Sequence, residues 1–192
     1  MPECVSNANQ PKRERKLAAK DLKSLFWPIV LFLLVVAIDQ ATKFWAVSNL
    51  ANRGSVHILG DFLMFTLVYN VGGAMGTRFG SSTYYLVIAL ILLPFIIYYI
   101  YRYRNRPILS WPLALIAGGA IGNIIDRLRL GRVVDFIDVD FFNIGFLGLT
   151  RWWTFNIADA AITCAIINLL IVAIFFRRHF DSEEEAVRAG RT

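Results

Sequence analysis

Between Phe79 and Tyr101 the chain carries no charged residue. A helix of that length, rising about 1.5 Å per residue, crosses the roughly 30 Å of hydrocarbon in a bilayer. Pro107 to Ile125 is likewise uncharged, and Asn156 to Phe176 holds one charged group, Asp159. Leu25 to Ile38 is uncharged and continues as apolar turns around Asp39 and Lys43 to about Leu50. The chain as a whole is 57% apolar with a mean hydropathy of +0.54, against about 45–50% apolar for a soluble domain. These runs predict an α-helical integral membrane protein with four transmembrane helices, at about 25–48, 79–101, 107–126 and 156–176.

The connections differ in kind. Residues 51–78 hold Gly54, Gly60, Gly72, Gly73 and Gly76 around a β-prone stretch, Val56 to Tyr69, which predicts a small extracytoplasmic sheet or hairpin at the interface. Residues 127–155 form a second outer segment of mixed charged and aromatic character. Residues 1–24 read as a disordered basic tail and 177–192 as a second, acidic one. A cleaved signal peptide ending near Ala46-Val47-Ser48 is an alternative for the first apolar run. Asp39 and Lys43 argue against it, since a four-residue spacing lets them pair on one helical face and so enter a spanning helix near its outer end. Thirteen of the 20 Lys and Arg lie in the two tails and in the loop Arg102 to Arg106. By the positive-inside rule both termini and that loop are cytoplasmic.

Seven carboxylates then fall on the outer side: Asp39, Asp61, Asp126, Asp135, Asp138, Asp140 and Asp159. Asn123, Asp126 and Arg127 share a helical face, and Asp126 beside Arg127 reads as a structural ion pair. Asp135 stands between Val133-Val134 and Phe136-Ile137, where loss of water disfavours the charged form. Asn156, Asp159 and Thr163 share a face of the last span, with Asp159 in a first turn whose dipole favours an anion. A carboxyl tending neutral and one tending ionised is the asymmetry that acid–base hydrolysis of a carbonyl compound uses. In the plainer alternative the aspartates are only interfacial caps and ion pairs. A small proton-coupled transporter would place its acids nearer mid-span. His57 and His179, on opposite sides of the membrane, cannot assemble a zinc site or serve a serine nucleophile. Cys4 and Cys164 suggest neither a disulfide framework nor a metal site. Trp27, Trp45, Trp111, Trp152 and Trp153 lie at span ends, as belt anchors do. The net charge of +6 reflects membrane orientation rather than nucleic-acid binding, and no metal or cofactor is expected.

Four blocks, DQATK (Asp39 to Lys43), YNVGGA (Tyr69 to Ala74), GGAIGNIIDRLRLGRVVDFI (Gly118 to Ile137) and FNIADAAI (Phe155 to Ile162), together resemble the bacterial prolipoprotein signal peptidases (lipoprotein signal peptidase, signal peptidase II), a family of aspartic peptidases. The resemblance covers roughly residues 25–176. It implies four membrane helices, a small periplasmic β-cradle and a catalytic pair that maps onto Asp135 and Asp159. Asn70, Gly72, Asn123, Arg127 and Asn156 match positions that line the site or contact substrate, while Asp39, Lys43 and Asp126 match structural support. The implied substrates are diacylglyceryl-modified prolipoprotein signal peptides, cut N-terminal to the lipidated cysteine. Membrane phospholipids are the surrounding partners, globomycin-type cyclic peptides the implied inhibitors, and the bacterial inner membrane the implied location. Gly73 and Met75 depart from the family pattern, with methionine where phenylalanine is usual, which bears on the lipid-side pocket rather than on the pair. A relative that binds lipidated peptides without cutting them is the remaining alternative.

Overall fold

The computed structural model describes residues 10–72, 80–140 and 153–175, and the side chains of these from residue 23 onward. The element order is α1 (Gln10–Leu50), β1 (Val56–Leu59), β2 (Leu63–Asn70), α2 (Ser82–Arg102), α3 (Pro107–Leu130), β3 (Val133–Val139) and α4 (Ile157–Phe175). All four helices contain a stretch long and apolar enough to cross a membrane: Lys23–Leu50, Ser82–Arg102, Pro107–Leu130 and Ile157–Phe175. The expected four-helix membrane architecture with a small sheet is therefore present.

Helix α3 occupies the middle, packing against each of the other three. Its sequence explains how they come so close. A β-carbon added at Gly119 would meet the Ala158 carbonyl oxygen of α4 at 2.5 Å, and one at Gly122 would collide with the Asp39 carboxylate of α1. Without a hydrophobic effect between helices in lipid, such close backbone approach is what drives their association. The helix opens with Pro107 and closes on Gly131 in the left-handed conformation (φ 69°), whose N–H returns to the Arg127 carbonyl at 3.0 Å. Helix α2 is started by Ser81, whose hydroxyl accepts the Tyr84 N–H, and it has no buried residue. Its face turned toward α3 is half-buried, and the rest presents apolar side chains to lipid.

The sheet is antiparallel in the order β1-β2-β3. Strand β3 is tied on its other side to Phe155, whose carbonyl accepts the N–H groups of Phe136 (3.1 Å) and Ile137 (2.8 Å), and whose N–H donates to the Ile137 carbonyl (3.0 Å). The sheet is thus stitched to the residue that leads into α4. An apolar cluster of Ala46, Leu50 and Phe136, flanked by Val56, Phe65, Leu67, Ile137 and Ile157, seats it on the end of α1. Trp45 stacks edge-on against Phe65 and Phe136, with ring centroids 5.4 and 6.3 Å away, so it packs against the sheet as well as marking the end of a span.

Several boundaries differ from expectation. Helix α1 starts at Gln10, within the stretch read as disordered. Leu17, Ala18, Ala19 and Leu22, with the interleaved Lys and Arg, are good helix formers, and the adjoining span supplies the costly nucleus. The third span continues past its expected end at residue 126 to Leu130, so 127–130 are helical rather than the start of an outer segment. Within that segment, for which no element was expected, 133–139 is a strand; six of its seven residues are buried, so it lacks the one-sided alternation of a surface strand. Gly73, Met75, Trp152 and His179 lie outside the described residues, as does the tail 177–192.

Candidate active site

Strand register sets the first part of the site. Val68 pairs with Asp135 and Asn70 with Val133, so the side chain of Asn70 at the end of β2 reaches back toward Asp135. The Asn70 Oδ1 accepts the Gly72 N–H at 2.8 Å, an Asx turn, which leaves its Nδ2 to donate to Asp135 Oδ2 at 3.0 Å. The other Asp135 oxygen, Oδ1, accepts from Asn156 Nδ2 at 2.7 Å. Asp135 is only 1% exposed. Burial, and then the nearby Asp159, push its pKa from 3.8 up to about 7, against the opposing pull of the two amide donors and of Lys43.

Asn156 ties the second carboxylate to the first. It precedes α4, and its Oδ1 accepts the Asp159 N–H at 2.9 Å, an N-cap three residues before Asp159. The spare Nδ2 hydrogens reach Asp135, the Val134 carbonyl (3.3 Å) and Asn123 Oδ1 (3.2 Å). Asn123, on α3, completes the link by donating its own Nδ2 to Asp159 Oδ1 at 2.9 Å. Two carboxylates from different elements are thus strapped by two carboxamides that are hydrogen-bonded to each other. Thr163 is exposed, a turn beyond this network on α4.

Beneath the amides lies a buried ionic cluster. Lys43 Nζ is 2.9 Å from Asp39 Oδ2, 2.9 Å from Asp126 Oδ2 and 2.9 Å from Asn123 Oδ1. The spacing of Asp39 and Lys43 predicted the first contact. The expected Asp126–Arg127 pair is corrected by the second: consecutive helical residues point in different directions and do not face each other. Asp126 faces α1 and also accepts the Val134 N–H at 3.0 Å, which pins β3 next to Asp135. Arg127 turns the other way, donating to the Gly72 carbonyl (3.0 Å) and the Asn123 carbonyl (3.4 Å), with its guanidinium 5.8 Å from the Tyr85 ring centroid. Its buried Nε has no hydrogen-bond partner among the described residues. Asp39 also accepts the Ala158 N–H at 3.0 Å, an anion at the start of α4.

Gln40 was not singled out from the sequence. Its amide donates to Asp39, to the Gly122 carbonyl and to Asp126, at 3.2, 3.1 and 3.1 Å. A polar residue next to a charged pair inside an apolar run was the available signal. Tyr85 was missed for the opposite reason, since nothing separates it from the other aromatics of α2.

A cavity of about 360 Å³ opens beside the amides. Asn70, Asn123, Arg127 and Asp159 line its polar end, and Tyr85, Ile88, Leu92 and Ile96 of α2 face Ile116, Ala120 and Ile162 along its apolar length. A long apolar ligand with one polar end fits such a space. Among the described residues no group of three or more His, Cys, Asp or Glu could hold a metal ion. His57 is exposed on the sheet, 3.0 Å from Asp61. Cys164 is exposed on α4.

Residues 31–176 match the family model described as Signal peptidase (SPase) II. Curated relatives include the lipoprotein signal peptidases of Chlorobium luteolum, 39% identical with 84% of this chain and 97% of that protein covered, and of Moorella thermoacetica, 41% identical over 73% and 88%. Two solved structures, each described as a bacterial membrane enzyme, superpose with TM-scores of 0.65 and 0.66 at 30% and 31% identity; they cover 77% of this chain, and 86% and 92% of theirs. With most of its length matched by family model, relatives and fold alike, the chain belongs to the signal peptidase II family, the aspartic peptidases that remove signal peptides from prolipoproteins.

Proposed function

We propose that the chain performs its family's reaction through Asp135 and Asp159, cutting diacylglyceryl-modified prolipoproteins on the N-terminal side of the lipidated cysteine at the outer face of the bacterial inner membrane. The observation that carries this reading is the strapped pair of carboxylates, of which Asp159 opens on the polar end of an apolar cavity and Asp135 lies buried behind Asn70 and Asn156. The proton is assigned to Asp135, whose carboxyl burial raises to about 7, and the charge to Asp159, which stands in the first turn of α4, where the helix dipole favours an anion, and accepts from Asn123. Asp159 takes a proton from a water whose oxygen bonds to the scissile carbonyl carbon. Asp135 donates to the carbonyl oxygen as it becomes anionic. Collapse of the tetrahedral intermediate returns the carbonyl, breaks the C–N bond and sends the proton held on Asp159 to the departing amine of the cysteine. Arg127 and Asn70, on the cavity wall, position the peptide, and the apolar walls of α2 and α4 accommodate acyl chains or signal-peptide side chains.

The test is a gel assay of purified protein with a lipidated precursor. Asp135→Asn and Asp159→Asn should each bind precursor and release no product, a loss of at least about a thousandfold, since neither variant can run the proton transfers. Asp126→Asn, which removes a carboxyl that contacts neither of the pair, should retain activity in proportion to the protein that folds. Product from well-folded Asp135→Asn, with deamidation excluded by mass spectrometry, would falsify the dyad.

A further inference from the structure

We infer that Lys43, on the first membrane helix, is a positioning residue for the catalytic pair: it fixes the carboxamide of Asn123 so that its N–H groups face Asp159. The inference rests on the dyad proposed above.

An ammonium has three hydrogens and no acceptor. The three acceptors around Lys43 are Asp39, Asp126 and the Asn123 amide oxygen, each 2.9 Å away. The two carboxylates already outnumber the charge of the lysine, so the third bond adds nothing to charge balance. Its effect is on the amide. The two ends of a carboxamide are nearly equal in size, and a reversed Asn123 would aim its oxygen at the Asp159 carboxylate and its NH₂ group at the ammonium. Both contacts would be repulsive. With Lys43 present only one orientation satisfies both neighbours, the one in which Nδ2 donates to Asp159 Oδ1 at 2.9 Å. A cation on the amide oxygen also polarises the amide and strengthens the N–H as a donor. The chain from Lys43 through Asn123 to Asp159 is continuous and runs from α1 across α3 to α4. Asn156 Nδ2, 3.2 Å from the same amide oxygen, carries the constraint on to Asp135.

The alternative is that Lys43 only neutralises a buried cluster. The two roles separate because charge balance can be restored without the lysine. Asp39, Lys43 and Asp126 sum to one negative charge, and so does Asp39 alone in a Lys43→Met/Asp126→Asn double variant. The charged and titratable groups facing the pair are Lys43 and Asp39 from α1, Tyr85 from α2, Asp126 and Arg127 from α3, and Asp135 and Asp159 themselves.

The experiment compares kcat and KM against pH for full-length wild type, Asp126→Asn, Lys43→Met and the double variant in lipid nanodiscs, on a synthetic peptide with a diacylglyceryl cysteine. The double variant should recover the folded yield that Lys43→Met loses. Its kcat at its own optimum should remain about tenfold or more below that of Asp126→Asn, with KM within about twofold, because the donor to Asp159 is no longer held in place. Lys43→Met itself, which strips a cation from beside two acids, should move both limbs of the pH profile to higher pH. A double variant that turns over as fast as Asp126→Asn would overturn the inference. So would a loss confined to KM, or Lys43→Met activity that tracks folded protein with unmoved pH limbs. Failure of both lysine variants to fold would assign Lys43 to stability alone. Activity in Asp135→Asn would sink the dyad independently of any of these results.

Discussion

Asp135 shows how one residue links folding to pH. In the unfolded chain its carboxyl ionises near the ordinary value of 3.8, whereas burial in the folded protein raises that to about 7. A group whose folded pKa is raised stabilises most below the unfolded value, and that contribution is lost as pH climbs through the folded one. Wild type should therefore lose thermal stability between about pH 4 and 7 through this residue and level off above. Asp135→Asn cannot titrate, so its melting temperature in detergent should show a shallower slope over the same window. Parallel wild-type and variant curves would mean that Asp135 ionises as easily in the fold as outside it. The residue itself was legible in the sequence because a carboxylate flanked by valines, phenylalanine and isoleucine announces desolvation. Its amide partners on β2 and before α4 matched the family pattern, but their bonds to Asp135 were not derivable, since they depend on strand register.

Elements reveal a different limit. The four spans were readable because charge is excluded from lipid and its absence shows in any window. Helix ends were less so: α3 runs through Asp126 and Arg127 because the charged residues find partners on α1 and in the Gly72 loop, and no local feature of α3 reports that Lys43 lies opposite. Strand β3 escaped for want of alternation. The glycines at 118, 119 and 122 let α3 approach its neighbours closely, and Gly119 gives that approach a test. Gly119→Ala places a methyl 2.5 Å from the Ala158 carbonyl and 2.7 Å from an Ile162 side-chain carbon. Helix α4 must then move away, taking Asp159 with it, at a cost of about 1–3 kcal/mol for overpacking. A lowered melting temperature and a fall in activity per folded molecule are expected. Gly131→Asn, which keeps a residue tolerant of positive φ in open space, should be near wild type. Equal stability of Gly119→Ala and wild type would show that the α3–α4 contact has slack.

At the scale of the whole molecule, the positive-inside rule predicts an orientation across the bilayer. Placing Arg102, Arg104 and Arg106 in the cytoplasm puts the sheet and the aspartate pair at the outer face. A single cysteine introduced at Arg104, in a background with Cys4 and Cys164 replaced, should be protected from membrane-impermeant maleimide in intact cells and labelled after lysis. Labelling in intact cells would invert the topology and, with it, the side on which the peptide is cut.

The pairing of Asp39 with Lys43 acquires another meaning when the order of synthesis is considered. The first span leaves the ribosome long before Asp126 or the start of α4 exists, and the bond from Ala158 to Asp39 joins positions 119 residues apart. During that interval a lone carboxylate in the first helix would face lipid at a cost of about 2.5–3.5 kcal/mol on insertion scales. A lysine one turn away gives it a travelling partner that needs no other helix. In the complete fold the same two side chains have partners made later in the chain, Lys43 the Asp126 and Asn123 of α3 and Asp39 the Ala158 N–H that opens α4. The charged pair that eases entry of the first helix thus serves the finished bundle as well, tying together three helices that are synthesised one after another.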